Sequence, residues 1–230
     1  MNRRTVGLIG SAVAAVVVYG LLWFATAHGW DRLARLDAAA LSAAHDFGAD
    51  RPAWVMSWAV FCTVLGPMAF RLAALIAVVA AVRRRSPRVA VFLLATVVFN
   101  GVLIEGAKWL ADRPRPATAL VPAWSTAFPS GHAVGVLLAV LALLTVFWPK
   151  IDRRAGWTLA AVVVVFAIGA GRVVLNVHHP SDVLAGWALG YAWFVGCYLG
   201  CLRPTWPDRP APAEPVTGGA RTPAGPDSAP

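Results

Sequence analysis

The stretch VAVFLLATVVFNGVLIEGAKWLADRPRP, residues 89–116, decides how this chain folds. It is apolar from Val89 to about Ala107, then turns basic at Lys108, Arg113 and Arg115. About 20 apolar residues are what a helix needs to cross a hydrocarbon layer of about 30 Å. The stretch therefore predicts a membrane span that ends in a cluster of cations.

The rest of the chain repeats the pattern. Of its 230 residues, 59% are hydrophobic and 13% are charged, against roughly 25% charged in a soluble domain. Mean hydropathy is +0.66. Apolar runs cover Thr5–Ala27, Trp54–Val82, Val89–Ala107, Ala133–Phe147, Trp157–Ala170 and Val183–Cys201. The fold expected is an all-α bundle of six membrane spans over residues 1–202. Residues 203–230, rich in Pro and Gly, are expected to be a disordered tail. The first run is longer than the core of a signal peptide, so it is read as an uncleaved span, although Ala25-Thr26-Ala27 resembles a cleavage site. Gly66-Pro67 and Arg71 interrupt the second run. A kinked or tilted span is expected there, with Arg71 in need of water, an interface or a partner. Tryptophans recur near the run ends (Trp30, Trp54, Trp109, Trp148, Trp157), as interfacial anchors do.

The net charge of +9 lies mainly between apolar runs, where orientation and anionic lipids account for it better than nucleic acid does. Twelve Lys and Arg residues fall on the side of the two termini and seven on the other, with Arg71 inside a span. That bias places both termini in the cytoplasm and the loops 31–51, 108–131 and 172–182 outside. The first of these loops spaces Leu33, Leu36, Ala40, Leu41 and Ala44 as one helical face. It reads as an amphipathic helix on the membrane surface or as a soluble loop helix. Cys62, Cys197 and Cys201 lie inside apolar runs without metal-ligand spacing; neither a disulfide framework nor a metal site is expected.

The outward loops hold the unusual polar residues: Lys108 to Pro116, Phe128-Pro129-Ser130-Gly131-His132, and Arg172 to Asp182. All lie at one membrane depth, so a compact bundle brings them together. Lys108, Arg115 and Arg172 suit a tetrahedral oxyanion, being three cations with many donors. Ser130 and Gly131 open the fourth span, where unpaired N–H groups and the helix dipole favour an anion. Pro180 suits the first position of the sixth span, so a second helix N-terminus is expected to face the same anion. His178 and Asp182 are four apart, so the carboxylate can hold one ring nitrogen and leave the other to attack phosphorus. His132 can protonate the leaving oxygen and then activate water.

These residues resemble the signature of the type-2 phosphatidic acid phosphatase family, relatives of vanadium haloperoxidases and bacterial acid phosphatases. The pattern K-x6-RP is met by Lys108, Arg115 and Pro116, PSGH by residues 129–132, and the R-x5-H-x3-D part of the third element by Arg172, His178 and Asp182. The motif core spans about residues 100–190. The resemblance implies His178 as nucleophile forming a phosphohistidine, Asp182 as its orienter and His132 as general acid. Lys108, Arg115, Ser130, Gly131 and Arg172 would bind phosphate, with no metal or other cofactor. The implied partner is a lipid phosphate held among membrane lipids: phosphatidic acid, phosphatidylglycerol phosphate or polyprenyl pyrophosphate. One departure is Gly171, where the family usually has serine and a hydroxyl that could touch phosphate.

Other polar residues receive lesser roles. His45 and His179 are read as structural, Asp112 and Arg113 as secondary electrostatic neighbours. Glu105 can pair with Lys108 three residues on, and Asn100 can hydrogen-bond between helices. Two other functions fit parts of the pattern: a non-catalytic lipid-phosphate binder or transport component, which would not need the two histidines and the aspartate, and peroxidase chemistry on bound vanadate.

Overall fold

A computed structural model describes residues 3–202; the tail expected from 203 onward lies outside them. Among the described residues there are only helices, and six stretches are long and apolar enough to cross a membrane. The first span is α1 (Arg3–Ala27). The second is split into α3 (Pro52–Val64) and α4 (Pro67–Arg83). The break falls at Gly66-Pro67, as the sequence suggests. Pro67 has no N–H to continue the ladder, and a Cβ on Gly66 would lie 2.4 Å from the Cys62 carbonyl oxygen. The third span joins α5 (Pro87–Leu93) to α6 (Asn100–Ala111) through a π-helical turn, Leu94–Val98. The last three spans are α7 (Gly131–Phe147), α8 (Arg154–Val174) and α9 (Pro180–Cys201).

The surface is that of a membrane protein. Ile76 and Val102 are 72% and 78% exposed, which suits lipid and not water. Trp109 and Trp124 project at one end of the bundle, Trp148 and Trp157 at the other, as two interfacial belts do. Arg71 finds its partner inside the bundle: its Nη2 donates to Asn100 Oδ1 at 3.1 Å, tying α4 to α6.

Helix α7 is the hub, packed against α4, α8 and α9. Phe92, Leu93, Ala74, Ala139 and Ala142 fill one side of it, and Ile168, Leu175, Val177 and Cys62 another. Small residues bring α7 and α9 together: a Cβ on Gly186 would lie 2.9 Å from both Ala133 Cβ and the Ser130 carbonyl oxygen. This approach sets the starts of the two helices side by side, with Ser130 N donating to the Asp182 carbonyl at 2.9 Å. Helix α1 runs along α9, and Tyr19 packs on Phe128 with ring centroids 5.7 Å apart.

Helix α2 (Asp31–Gly48) lies at the same end of the bundle, against α1, α3, α8 and α9. Its inner face is largely the one expected: Leu41 is buried and Leu33, Ala40 and Ala44 are half-buried, with Leu36 alone turned outward at 69% exposure. The same stripe also buries a charge, Asp37, which is 2% exposed beside Leu41 and Gly48 because it meets charged and polar partners inside the fold.

Candidate active site

Each polar motif sits at a helix end, and all are at one end of the bundle. Lys108 is in the last turn of α6, which closes on Asp112 in the left-handed conformation (φ 40°). The chain then passes through Arg113 to Arg115 and loops back to Ser130, the residue preceding α7. Arg172 ends α8, and His178 precedes α9.

The loop between the first two motifs holds the cations in place, a role its sequence did not announce. Lys108 Nζ donates to Ser125 Oγ and to the Thr126 carbonyl, both at 2.7 Å. Arg115 donates to the carbonyls of Ser125 (2.9 Å), Trp124 (2.8 Å) and Val177 (2.7 Å). Ser125 adopts φ 65° to present these groups. Glu105 is exposed and acts on Lys108 through its charge alone; the hydrogen bonds of the buried ammonium go to the loop oxygens.

His178 is 1% exposed. Its Nε2 accepts from Arg115 Nη1 at 3.2 Å, so the lone pair points toward the cations and the proton belongs on Nδ1. Burial, the largest influence, holds its pKa down at about 4; Asp182 opposes this and Arg115 and Arg172 add to it. The ring is thus neutral over the ordinary pH range. His132 lies one residue into α7 and within electrostatic reach of Arg172, His178, Arg115 and Lys108.

Around this point, buried polar atoms stand without hydrogen-bond partners among the described residues: Ser130 Oγ, Arg172 Nε and His178 Nδ1. Ser130 is fully buried, yet its hydroxyl does not cap α7. A Cβ on Gly131 would meet only Ile104 Cγ2, at the ordinary distance of 3.4 Å. Packing does not demand glycine there, and a glycine leaves the backbone N–H groups of the helix start open to close approach. Orphaned buried polar atoms are costly, and each calls for a reason.

The N-terminus of α9 is different from expectation. His179 N donates to Asp182 Oδ2 at 2.7 Å and Ser181 N to Asp37 Oδ1 at 3.0 Å. Carboxylates of the protein occupy these donors, so this helix end does not face the anion. Asp182 also serves more partners than one histidine. Its Oδ2 is 3.0 Å from His179 Nδ1 and 3.6 Å from His178 Nδ1, the latter longer than a hydrogen bond. Its Oδ1 accepts from Arg113 at 2.6 Å. Arg113 and His179, read from sequence as peripheral, are direct partners of Asp182, and Asp37 was missed. The signal available was an aspartate centred in the buried stripe of α2.

Gly171 has a packing reason. A Cβ there would lie 2.5 Å from Cys62 Sγ and 2.8 Å from Trp58 Cε3. Cys62 and Trp58 fill the space of a larger residue, and Cys62 interacts with the neighbouring Arg172. The three cysteines are free. Among the described residues, no three His, Cys, Asp or Glu are grouped to hold a metal ion.

The chain is similar to several known proteins. The chain is 34% identical over 116 residues to a lipid A 1-phosphatase of Rhizobium etli, covering 45% of this chain and 46% of that protein. It is 29% identical over 114 residues to an undecaprenyl-diphosphatase of Sulfolobus acidocaldarius, covering 46% and 52%. The chain thus spans about half the length of the curated relatives it matches. Its fold is similar to that of a transmembrane PAP2 type phosphatidylglycerolphosphate phosphatase from Bacillus subtilis, with a TM-score of 0.69 and 23% identity over 85% of this chain and 98% of that one. The family model of the PAP2 superfamily matches residues 89–206, just over half of the chain. With all three motif elements inside that match and gathered at one end of a six-span bundle, this chain is a member of the PAP2 superfamily.

Proposed function

We propose that this chain is a membrane phosphatase that hydrolyses a lipid phosphate or diphosphate through a phosphohistidine on His178, without a metal. The observation that carries the reading is a pair of buried donors without partners among the described residues, Ser130 Oγ and Arg172 Nε, beside a neutral His178 whose Nε2 lone pair faces Arg115. A phosphoryl group has the oxygens these donors lack.

In the first step His178 Nε2 bonds to phosphorus as the bond to the lipid oxygen breaks, and His132 gives that oxygen a proton. Lys108, Arg115, Arg172, Ser130 and the backbone at Gly131 hold the equatorial oxygens, where charge accumulates. Asp182 keeps the Nδ1 proton in place as the ring becomes cationic. Water then attacks the phosphohistidine, His132 takes its proton, and inorganic phosphate leaves. The exposed apolar spans beside the site suit a substrate whose tail stays in the bilayer. Candidate headgroups are those of phosphatidic acid, phosphatidylglycerol phosphate and polyprenyl pyrophosphate, joined by lipid A 1-phosphate on the strength of the relatives. The charge bias of the loops favours cytoplasmic termini and a site on the outer face.

The test is phosphate release by purified protein over a panel of these lipids, with and without EDTA. One lipid turned over at a rate unchanged by chelation is expected. Binding without release on every lipid would replace the reading with that of a non-catalytic binder, and rescue of an EDTA-treated sample by magnesium would overturn the metal-free step.

A further inference from the structure

The proposed steps leave one buried group of charges unused. Asp37 comes from α2, outside the residues matched by the family model, yet it is 2% exposed. Its Oδ2 accepts from Arg113 Nη2 at 2.9 Å and from Ser181 Oγ at 2.5 Å, and its Oδ1 accepts from Ser181 N at 3.0 Å. Arg113 Nη1 in turn donates to Asp182 Oδ1 at 2.6 Å and to Ser181 Oγ at 2.8 Å. One guanidinium thus bridges two buried carboxylates, and Ser181 is clamped between them.

We propose that Asp37 and Arg113 are positioning residues for the nucleophile: they fix the Asp182 carboxylate so that its Oδ2 stays aimed at His178.

Geometry carries this. A carboxylate can turn about its Cβ–Cγ bond, and Asp182 has His179 competing for the same oxygen, 3.0 Å away against 3.6 Å for His178. Arg113 on Oδ1 blocks that rotation. Arg113 would itself swing if it had only Asp182 to hold, and being 18% exposed it has room to do so. Asp37 closes the arrangement from a separate helix and balances the second half of the guanidinium's charge. It also caps a free N–H of the first turn of α9, so the start of the helix that bears Asp182 is anchored to α2. A pair of this kind raises no substrate affinity, because neither residue reaches the phosphate cations. It acts on the alignment of the attacking ring, where a misplacement of about 1 Å can lower a rate by about 100-fold.

The inference rests on the proposed histidine chemistry, and its test separates the two. Asp37→Asn keeps an oxygen for Ser181 N but removes the charge that holds Arg113. With the lipid phosphate that the wild type turns over best, kcat is expected to fall about tenfold with KM within about twofold. In the Asp182→Asn background the same change is expected to add nothing, since the two residues act through one path. The conservative Asp37→Glu is expected to recover part of kcat. The second measurement needs no turnover: affinity for orthovanadate, which engages the nucleophile in five-coordinate geometry, against affinity for sulfate, which engages only the cations. Asp37→Asn should weaken vanadate about tenfold and leave sulfate unchanged. Equal loss of both anions, unchanged kcat, or additive effects of Asp37→Asn and Asp182→Asn would overturn the positioning role. Ser181→Ala, which removes one hydroxyl from Asp37, guards against a folding defect in the first variant; it should show the same selective loss at about threefold. If the wild type hydrolyses no lipid but prefers vanadate in an Asp37-dependent way, the positioning stands and the phosphatase reading fails.

Discussion

Two helix N-termini meet at this site and are used in opposite ways. At α7, the Ser130 hydroxyl is buried and has no partner among the described residues, and Gly131 is a glycine that packing does not require. At α9, Asp182 and Asp37 take the donors of His179 and Ser181. Both ends carry the same partial positive charge. The difference lies in whether the fold supplies its own anion. An end left open can bind a phosphoryl group; an end closed by carboxylates becomes a rigid mount for the residues it carries, here Asp182 and the preceding His178.

The sharpest way to break this comparison is His178→Ala. Loss of the proposed nucleophile from its mount should lower phosphate release by at least about 1,000-fold, with the protein still monodisperse in detergent. Near-normal turnover would mean that the closed end serves no chemistry. The open end is tested by Ser130→Ala. Its hydroxyl has no partner to lose, so thermal stability should hold or rise, while kcat/KM falls about tenfold. A clear drop in melting temperature would show that Ser130 serves the fold.

The pH dependence separates the ends further. His178 titrates near pH 4 because it is buried, so the acid limb of kcat/KM should lie near there and not near 6.5. The sign for stability follows. The unfolded ring takes up a proton near pH 6.5 and the folded ring only near 4, so this residue's contribution is intact above about 6.5 and is lost as pH falls toward 4. Thermal melts of wild type and His178→Ala across that window would measure the difference.

The smallest effect concerns Arg172, which reaches the open end from α8. Gly171→Ser restores the usual family residue but drives its Cβ into Cys62 and Trp58. A loss of about 1–3 kcal/mol is expected from such overpacking, read as a lower melting temperature with a modest rise in KM. Cys62→Ala in the same chain should relieve part of it. If Gly171→Ser alone improves turnover, the packing account is wrong.

Much of the architecture could be read without coordinates because bilayer thickness imposes a length on every span. The six spans, the break at Gly66-Pro67 and the link between Asn100 and another helix are local consequences of apolar runs, Pro and a lone buried amide. The charge inside the inner face of α2 could not be read this way. Leu33, Leu36, Ala40, Leu41 and Ala44 define an apolar stripe that, Leu36 apart, does turn inward, but the stripe also buries Asp37, whose partners Arg113 and Ser181 lie 76 and 144 residues away in sequence. The loop oxygens of Trp124, Ser125 and Thr126 were equally hidden, since any residue carries a carbonyl and nothing in its side chain announces where that carbonyl points.

The sequence alone determined the spans and which residues carry the charge, since hydropathy and the motif spacings are properties of the chain itself. Only the tertiary structure decided how the second helix end is closed. Asp182 takes the His179 N–H from within its own first turn, a local pattern, whereas the Ser181 N–H is closed by Asp37 from α2, a contact that depends on how α2 packs against α9 and on no neighbouring residue.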